Sequence, residues 1–180
     1  VKVIAIVGMA GAGKSEVARV FEEHGLKKVR FGDVTDEELE KMHLELNEEN
    51  ERRIRQQLRE KHGMAAYARL NLAKIDGSLK SSDVVVDGLY SWEEYVLLKE
   101  RYGMRLSVVA VWASPAIRHA RLARRAKRPM TLEEAASRDK SEIENINKGG
   151  PIAMADYTIV NEASLEELRK DTERVLLALR

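Results

Sequence analysis

The 180-residue chain contains no cysteine. That absence excludes disulfides, thiolate catalysis and cysteine-ligated metals, and it fits a reducing cytoplasm. The histidines, His24, His43, His62 and His119, form no metal-ligand spacing. An excess of one charge is also missing. Lys plus Arg number 31 against 30 Asp plus Glu, which gives no reason to expect nucleic-acid or membrane partners. No stretch approaches the roughly 20 apolar residues of a membrane span. The N-terminal apolar run, Val3 to Val7, is too short for a signal peptide's core and has no cleavage pattern after it. A cytoplasmic location is the expectation. Internal repeats and low-complexity linkers are absent, so residues 1–180 read as one domain long enough to bury its own core.

What is present alternates between strand and helix. Short β-branched runs at Val1–Val7, Lys28–Phe31, Asp83–Asp87, Leu106–Trp112 and Tyr157–Val160 read as five strands. Helical patterns follow each. The first starts near Lys14 and stops at Gly25. Thr35 with Glu38 reads as a capping box opening a polar helical region. In that region the helix Asn50–His62 has only Ile54 and Leu58 as chief anchors. It fits either a solvated face or a substrate-facing one. Ser91 with Glu94, Ser114 with Pro115, Thr131 with Glu134 and Ser164 with Glu167 read as further helix starts. Gly149-Gly150-Pro151 reads as a break. The pattern predicts an α/β fold, a five-stranded parallel sheet with helices on both faces. Two segments interrupt it, a polar helical insert at 34–78 and an Arg-rich region at 118–140. Segments that bury little can move, so these are the expected acceptor clamp and lid.

Gly8, Met9, Ala10, Gly11, Ala12, Gly13, Lys14 and Ser15 fit G-x-x-x-x-G-K-S/T between a strand and a helix. Small residues let backbone N–H groups turn toward an anion, and the following helix points its positive end at the same place. Lys14 adds charge for the β- and γ-phosphates, and Ser15 offers a hydroxyl to Mg²⁺. Asp87 ends the third strand before Gly88, where a carboxylate reaches the metal's shell through water. ATP and Mg²⁺ are therefore the expected cofactors. Arg118, Arg121 and Arg125 share a helix face by their i, i+3, i+4 spacing. Arginines from a closing lid stabilise charge developing on a transferred phosphoryl group, which points to Arg121, Arg125 and Arg138. A solvated basic face is the alternative.

With these residues the chain resembles the P-loop kinases of the nucleoside monophosphate kinase and dephospho-CoA kinase superfamily. More narrowly, it resembles an archaeal and bacterial group labelled adenylate-kinase-related or dephospho-CoA-kinase-like. "GMAGAGKSEVA", "FGDVTDEE", "VVVDGLYSWEEY", "ASPAIRHARLARR", "SRDKSE" and "IAMADYTIVN" carry the likeness along nearly the whole chain. The resemblance implies a three-layer P-loop NTPase fold with an Arg-rich lid. It implies that Arg121 and Arg138 serve catalysis, that Arg125 stacks on the nucleotide base, and that Asp33 activates an acceptor hydroxyl. Asp33 also fits a turn or cap.

Two positions depart from adenylate-kinase-like enzymes. Asp36 and Tyr90 stand where arginines would grip an acceptor phosphate. Arg53, Arg55, Arg59 or Arg69 could substitute from the insert. The expectation is an ATP-dependent small-molecule kinase with a nucleotide-like acceptor, first a hydroxyl as in dephospho-CoA kinase, second a nucleoside monophosphate. A regulatory nucleotide switch and a nucleic-acid 5′-kinase are the competing readings. The basic segment lacks the interleaved aromatics that the last would use.

Overall fold

The computed structural model describes residues 1–126 and 128–179. The apolar runs form β1 (Val3–Val7), β2 (Lys27–Arg30), β3 (Val84–Leu89), β4 (Leu106–Trp112) and β5 (Tyr157–Val160). They pair in parallel in the order β2-β3-β1-β4-β5. Parallel pairing requires crossovers, and helices supply them. After β1 comes α1 (Lys14–Glu23); after β2 come α2 (Asp33–Lys41), α3 (Glu48–His62) and α4 (Ala66–Ser78). After β3 comes α5 (Trp92–Tyr102); after β4 come α6 (Pro115–Ala123), α7 (Leu132–Glu144) and α8 (Gly149–Ala153). α9 (Leu165–Leu179) follows β5.

Every residue of β1 and β3 is buried, which is why β1 and the Val84–Val86 part of β3 read as apolar runs. Their side chains alternate between two cores. Val3, Ala5 and Val7 face α4 and α5 with Tyr67, Ile75 and Leu98. Ile4 and Ile6 face α1 and α9 with Phe21, Leu168 and Leu176. Burying a side chain such as Phe21 completely is worth roughly 1.5–3 kcal/mol. Because α1 and α5 leave to opposite faces, a crevice opens at the carboxyl ends of β1 and β3, where ligands bind in open α/β sheets. That crevice positions the site.

The expected fold class holds, but several local expectations change. Thr35 does not cap a helix. α2 already starts at Asp33, and the Thr35 hydroxyl is buried within 2.6 Å of the Tyr67 hydroxyl. The segment 34–78 does not uniformly bury little. In α4, Ala66, Tyr67, Ala68 and Ile75 are fully buried beneath the sheet, and Val34, Leu39, Ile54 and Leu58 tie α2 and α3 to the same core. α3 is anchored by Ile54 and Leu58, as its pattern indicated. α6 ends at Ala123, so Arg125 leaves the face shared by Arg118 and Arg121. Gly149-Gly150-Pro151 opens α8, and the preceding helix has ended at Glu144.

Candidate active site

The loop between β1 and α1 curls around an opening lined by Lys14 and Ser15. Gly11 and Gly13 adopt φ of 80° and 102°, the left-handed region that glycine tolerates. Space also demands them. A Cβ on Gly11 would lie 2.7 Å from the Arg118 carbonyl, and one on Gly13 would collide with Asn161 Nδ2. Those neighbours brace the loop from outside. Asn161 Nδ2 donates to the Ala12 carbonyl at 2.8 Å. Arg118 donates to Ala10 O at 3.1 Å and Ala113 O at 3.0 Å, and forks onto Asp139 at 2.8 and 2.7 Å. Among the described residues, the amides of Gly11, Gly13, Lys14 and Ser15 donate to no protein acceptor. Unpartnered amides at a helix N-terminus fit phosphate.

The Lys14 ammonium donates to Met9 O at 3.0 Å. Burial, and then the nearby Lys148, bring its pKa down to about 7, against the pull of Glu142 and Asp87. A bound phosphate would supply a further counter-charge. Asp87 is buried on β3 and lines the same cavity as Ser15, so two oxygen donors suited to Mg²⁺ face one space.

The cavity encloses about 1320 Å³ and runs from Lys14 and Ser15 to a wall of Arg30, Arg59, Tyr67 and Tyr90. α7 and its following turn form another side. Glu142 pairs with Lys148 at 2.8 Å and with Arg138 at 3.3 Å. Burial opposes the Glu142 charge, but Lys148, Arg138 and Lys14 outweigh it and hold the pKa at about 2. Lys148 is only 2% exposed, and burial depresses its pKa against the pull of Glu142. Ion pairs also span the cavity to α3. Arg138 meets Glu48 at 3.3 Å, and Arg128 meets Glu51. Arg55 binds Glu48 at 2.6 Å.

The expected residues divide. Gly8, Met9, Gly11, Ala12 and Gly13 build the loop, while Ala10, Lys14, Ser15, Asp87, Arg125 and Arg138 line the cavity. Arg121 lies outside that lining, with its Nη2 3.4 Å from Asn161 Oδ1. Asp33 is also outside. Its carboxylate is 2.7 Å from Arg30, which holds Asp36 at 2.6 Å as well. Of the insert arginines, Arg55 and Arg59 reach the cavity and Arg53 and Arg69 do not. Sequence reasoning missed Arg30, Glu142 and Lys148. Arg30 left one signal, a charge closing a strand at the carboxyl edge of the sheet. Lys148 left none, because its burial comes from the turn between α7 and α8.

The parallel sheet, the loop and the facing cavity define a P-loop nucleotide kinase-like protein. Residues 4–147 match the family model described as an AAA domain. Crystal structures of a gluconokinase from Sinorhizobium meliloti and a shikimate kinase from Bacteroides thetaiotaomicron share the fold. Their TM-scores are 0.65 and 0.64, at 16% and 14% identity. Each alignment covers 99% of this chain, and it covers 93% and 98% of the respective neighbour. A dephospho-CoA kinase from Campylobacter jejuni gives 0.56 at 16% identity, covering 99% of this chain and 97% of that one. The chain belongs to the UPF0200 family. A UPF0200 protein of Thermococcus kodakarensis is 36% identical over 178 residues, 97% of this chain and 96% of that protein. One from Aeropyrum pernix is 40% identical over 174 residues, 96% of this chain and 90% of that protein.

Proposed function

We propose that the protein transfers the γ-phosphoryl group of ATP to a hydroxyl of a small, nucleotide-like acceptor, as in dephospho-CoA kinase. The observation that carries this reading is one continuous cavity with a phosphate cradle at one end and an acceptor-sized polar wall at the other. The loop amides and Lys14 bind the phosphates of the donor. Ser15 and Asp87 would hold Mg²⁺, which neutralises charge on those phosphates when bound. Arg138, half-buried beside Glu142, would supply the cation for charge on the transferred group. Arg125 has no carboxylate at salt-bridge distance among the described residues and stands ready to contact the nucleotide. The acceptor oxygen bonds to the γ-phosphorus, the bond to the β-phosphate oxygen breaks so that ADP leaves, and the acceptor proton passes to solvent water. Asp33 lies outside the cavity lining with one carboxylate oxygen on Arg30, so it acts on this step by orienting that guanidinium.

A nucleoside monophosphate acceptor is the second reading, favoured by Arg30 and Arg59 in the wall. They supply cations although Asp36 and Tyr90 stand where adenylate-kinase-like enzymes carry arginines. The test is ADP release from ATP and Mg²⁺ with dephospho-CoA, nucleosides and nucleoside monophosphates. Stimulation above water hydrolysis by a hydroxyl acceptor supports the first reading. Stimulation by a monophosphate supports the second. No stimulation by any acceptor sinks the kinase function and leaves a nucleotide-dependent switch.

A further inference from the structure

Two walls of the cavity belong to different packing units. α3 is anchored by Ile54 and Leu58 in the large core on one face of the sheet. The lid packs on a small core of its own, Ala10, Leu122, Met130 and Ala135. No residue of α6 or α7 enters the first core, and none of α3 enters the second. Charge joins the two walls instead. Glu48 of α3 is 3.3 Å from Arg138 of α7, and Glu51 of α3 meets Arg128 in the loop between α6 and α7. All four side chains line the cavity. Arg128 has a φ of 57°, a left-handed backbone that residues other than glycine rarely adopt. From there its guanidinium reaches Glu51, which is buried.

These ion pairs can part at little cost. Three of the four ions keep a second partner on their own wall. Glu48 has Arg55 at 2.6 Å, Glu51 has the same Arg55 at 3.8 Å, and Arg138 has Glu142 at 3.3 Å. The fourth, Arg128, has a side chain 35% exposed and turns to water. Separation therefore strands no buried charge, which is what makes breaking most buried pairs expensive. While joined, the pairs hold Arg138 on an internal carboxylate. A polyphosphate offers the same guanidinium more negative charge and more acceptor oxygens.

We propose that Glu48 and Glu51 form an acidic latch by which the protein inhibits its own nucleotide binding. In the ligand-free protein the latch joins the insert to the lid across the cavity and occupies Arg138 and Arg128. ATP undoes it when its phosphates take Arg138. The latch rests on the reading above for Arg138 and the donor, and on neither phosphoryl transfer nor any acceptor. A ligand's apparent affinity is reduced by the fraction of protein held in the incompetent state, so removing the two carboxylates raises it. A merely structural contact has the opposite sign, since losing it would weaken binding.

Calorimetry compares MgATP binding by the wild type and by Glu48→Gln/Glu51→Gln. The double variant should bind roughly threefold to tenfold more tightly. Glu48→Gln alone, at the more exposed of the two carboxylates, should give part of that gain. Glu60→Gln is the control for bulk charge. Glu60 also lies on α3 and lines the cavity, but its carboxylate accepts from Gln56. Because the chain has no cysteine, spin labels can be attached to α3 and α7 through Arg53→Cys and Glu133→Cys, both at exposed positions. Without nucleotide, the label distance should lengthen or broaden in the double variant. It should do the same in about 1 M sodium chloride, where the Debye length is about 3 Å. Unchanged or weaker MgATP binding, an equal gain in Glu60→Gln, or label distances that ignore both salt and substitution overturn the proposal. Tighter MgATP binding without ADP release to any acceptor sinks only the kinase reading. Acceptor-stimulated ADP release with no gain in the double variant sinks only the latch. No MgATP binding by any of these proteins refutes the self-inhibition and the donor reading together.

Discussion

Replacing Glu142 with Gln leaves Lys148, 2% exposed, without its carboxylate 2.8 Å away. Breaking one side of a buried ion pair costs roughly 3–5 kcal/mol, because the remaining charge stays desolvated. The carboxylate's titration gives a similar size. Its pKa falls from the ordinary 4.5 to about 2, and about 1.4 kcal/mol per pH unit makes roughly 3 kcal/mol. The sign follows from the depressed value. This contribution is present above pH 4.5 and is lost as the pH falls from 4.5 toward 2. Lys148 works the other way, since burial depresses its pKa and its charged form costs stability at neutral pH. The pair's net worth is therefore small although each half is costly to lose. For a chain of this length the loss corresponds to a Tm drop of about 6–20 °C. Urea unfolding at pH 7 should show that loss for Glu142→Gln. The double variant Glu142→Leu/Lys148→Met should recover most of it. A single-variant loss below about 1 kcal/mol, or a double variant no better than the single, refutes the reasoning.

Other outcomes follow from the same geometry. Lys14→Ala should weaken MgATP binding at least tenfold and abolish ADP release, measured by calorimetry and a coupled assay. Because Lys14 has a pKa of about 7, it is already protonated below pH 7, whereas above that pH a phosphate must bring a proton with it. MgADP affinity should fall as the pH rises past 7, by up to tenfold per pH unit, and calorimetry in buffers of different ionisation enthalpy should detect proton uptake at pH 8 but little at pH 6. Arg118→Ala removes a buried fork onto Asp139 and two carbonyl contacts, one to the cradle. It should cost roughly 3–5 kcal/mol in urea unfolding, with nucleotide affinity falling as well. Asp33→Asn should lower turnover less than tenfold if Asp33 only orients Arg30, and a far larger kcat loss with unchanged ATP binding would restore its role as a base.

How much of this could be read from the chain differs by element. β4 and β5 were legible to the residue, because buried β-branched runs between turn residues leave little choice of boundary. The capping box at Thr131 and Glu134 was legible for a similar reason, since its partners lie three residues apart. Thr35 and Glu38 have the same spacing, yet the helix begins earlier and Thr35 turns to Tyr67, 32 residues away. The arginines show the same limit. Their spacing says which could share a face, but not that α6 ends at Ala123 or that Arg118 faces inward to Asp139.

The sequence alone determined the Gly8–Ser15 loop, the expected phosphate cradle. Its glycines, lysine and serine act through backbone conformation and short-range contact, so the motif contains most of its own geometry. Tertiary structure alone decided what faces that cradle. Strand order brings Arg30 beside Asp87, and the turn after α7 buries Lys148 against Glu142 and Tyr90. Arg59 meets Tyr67 across the break between two helices. Charge is worth most where water is excluded, and no local pattern reveals which charges packing will exclude from water.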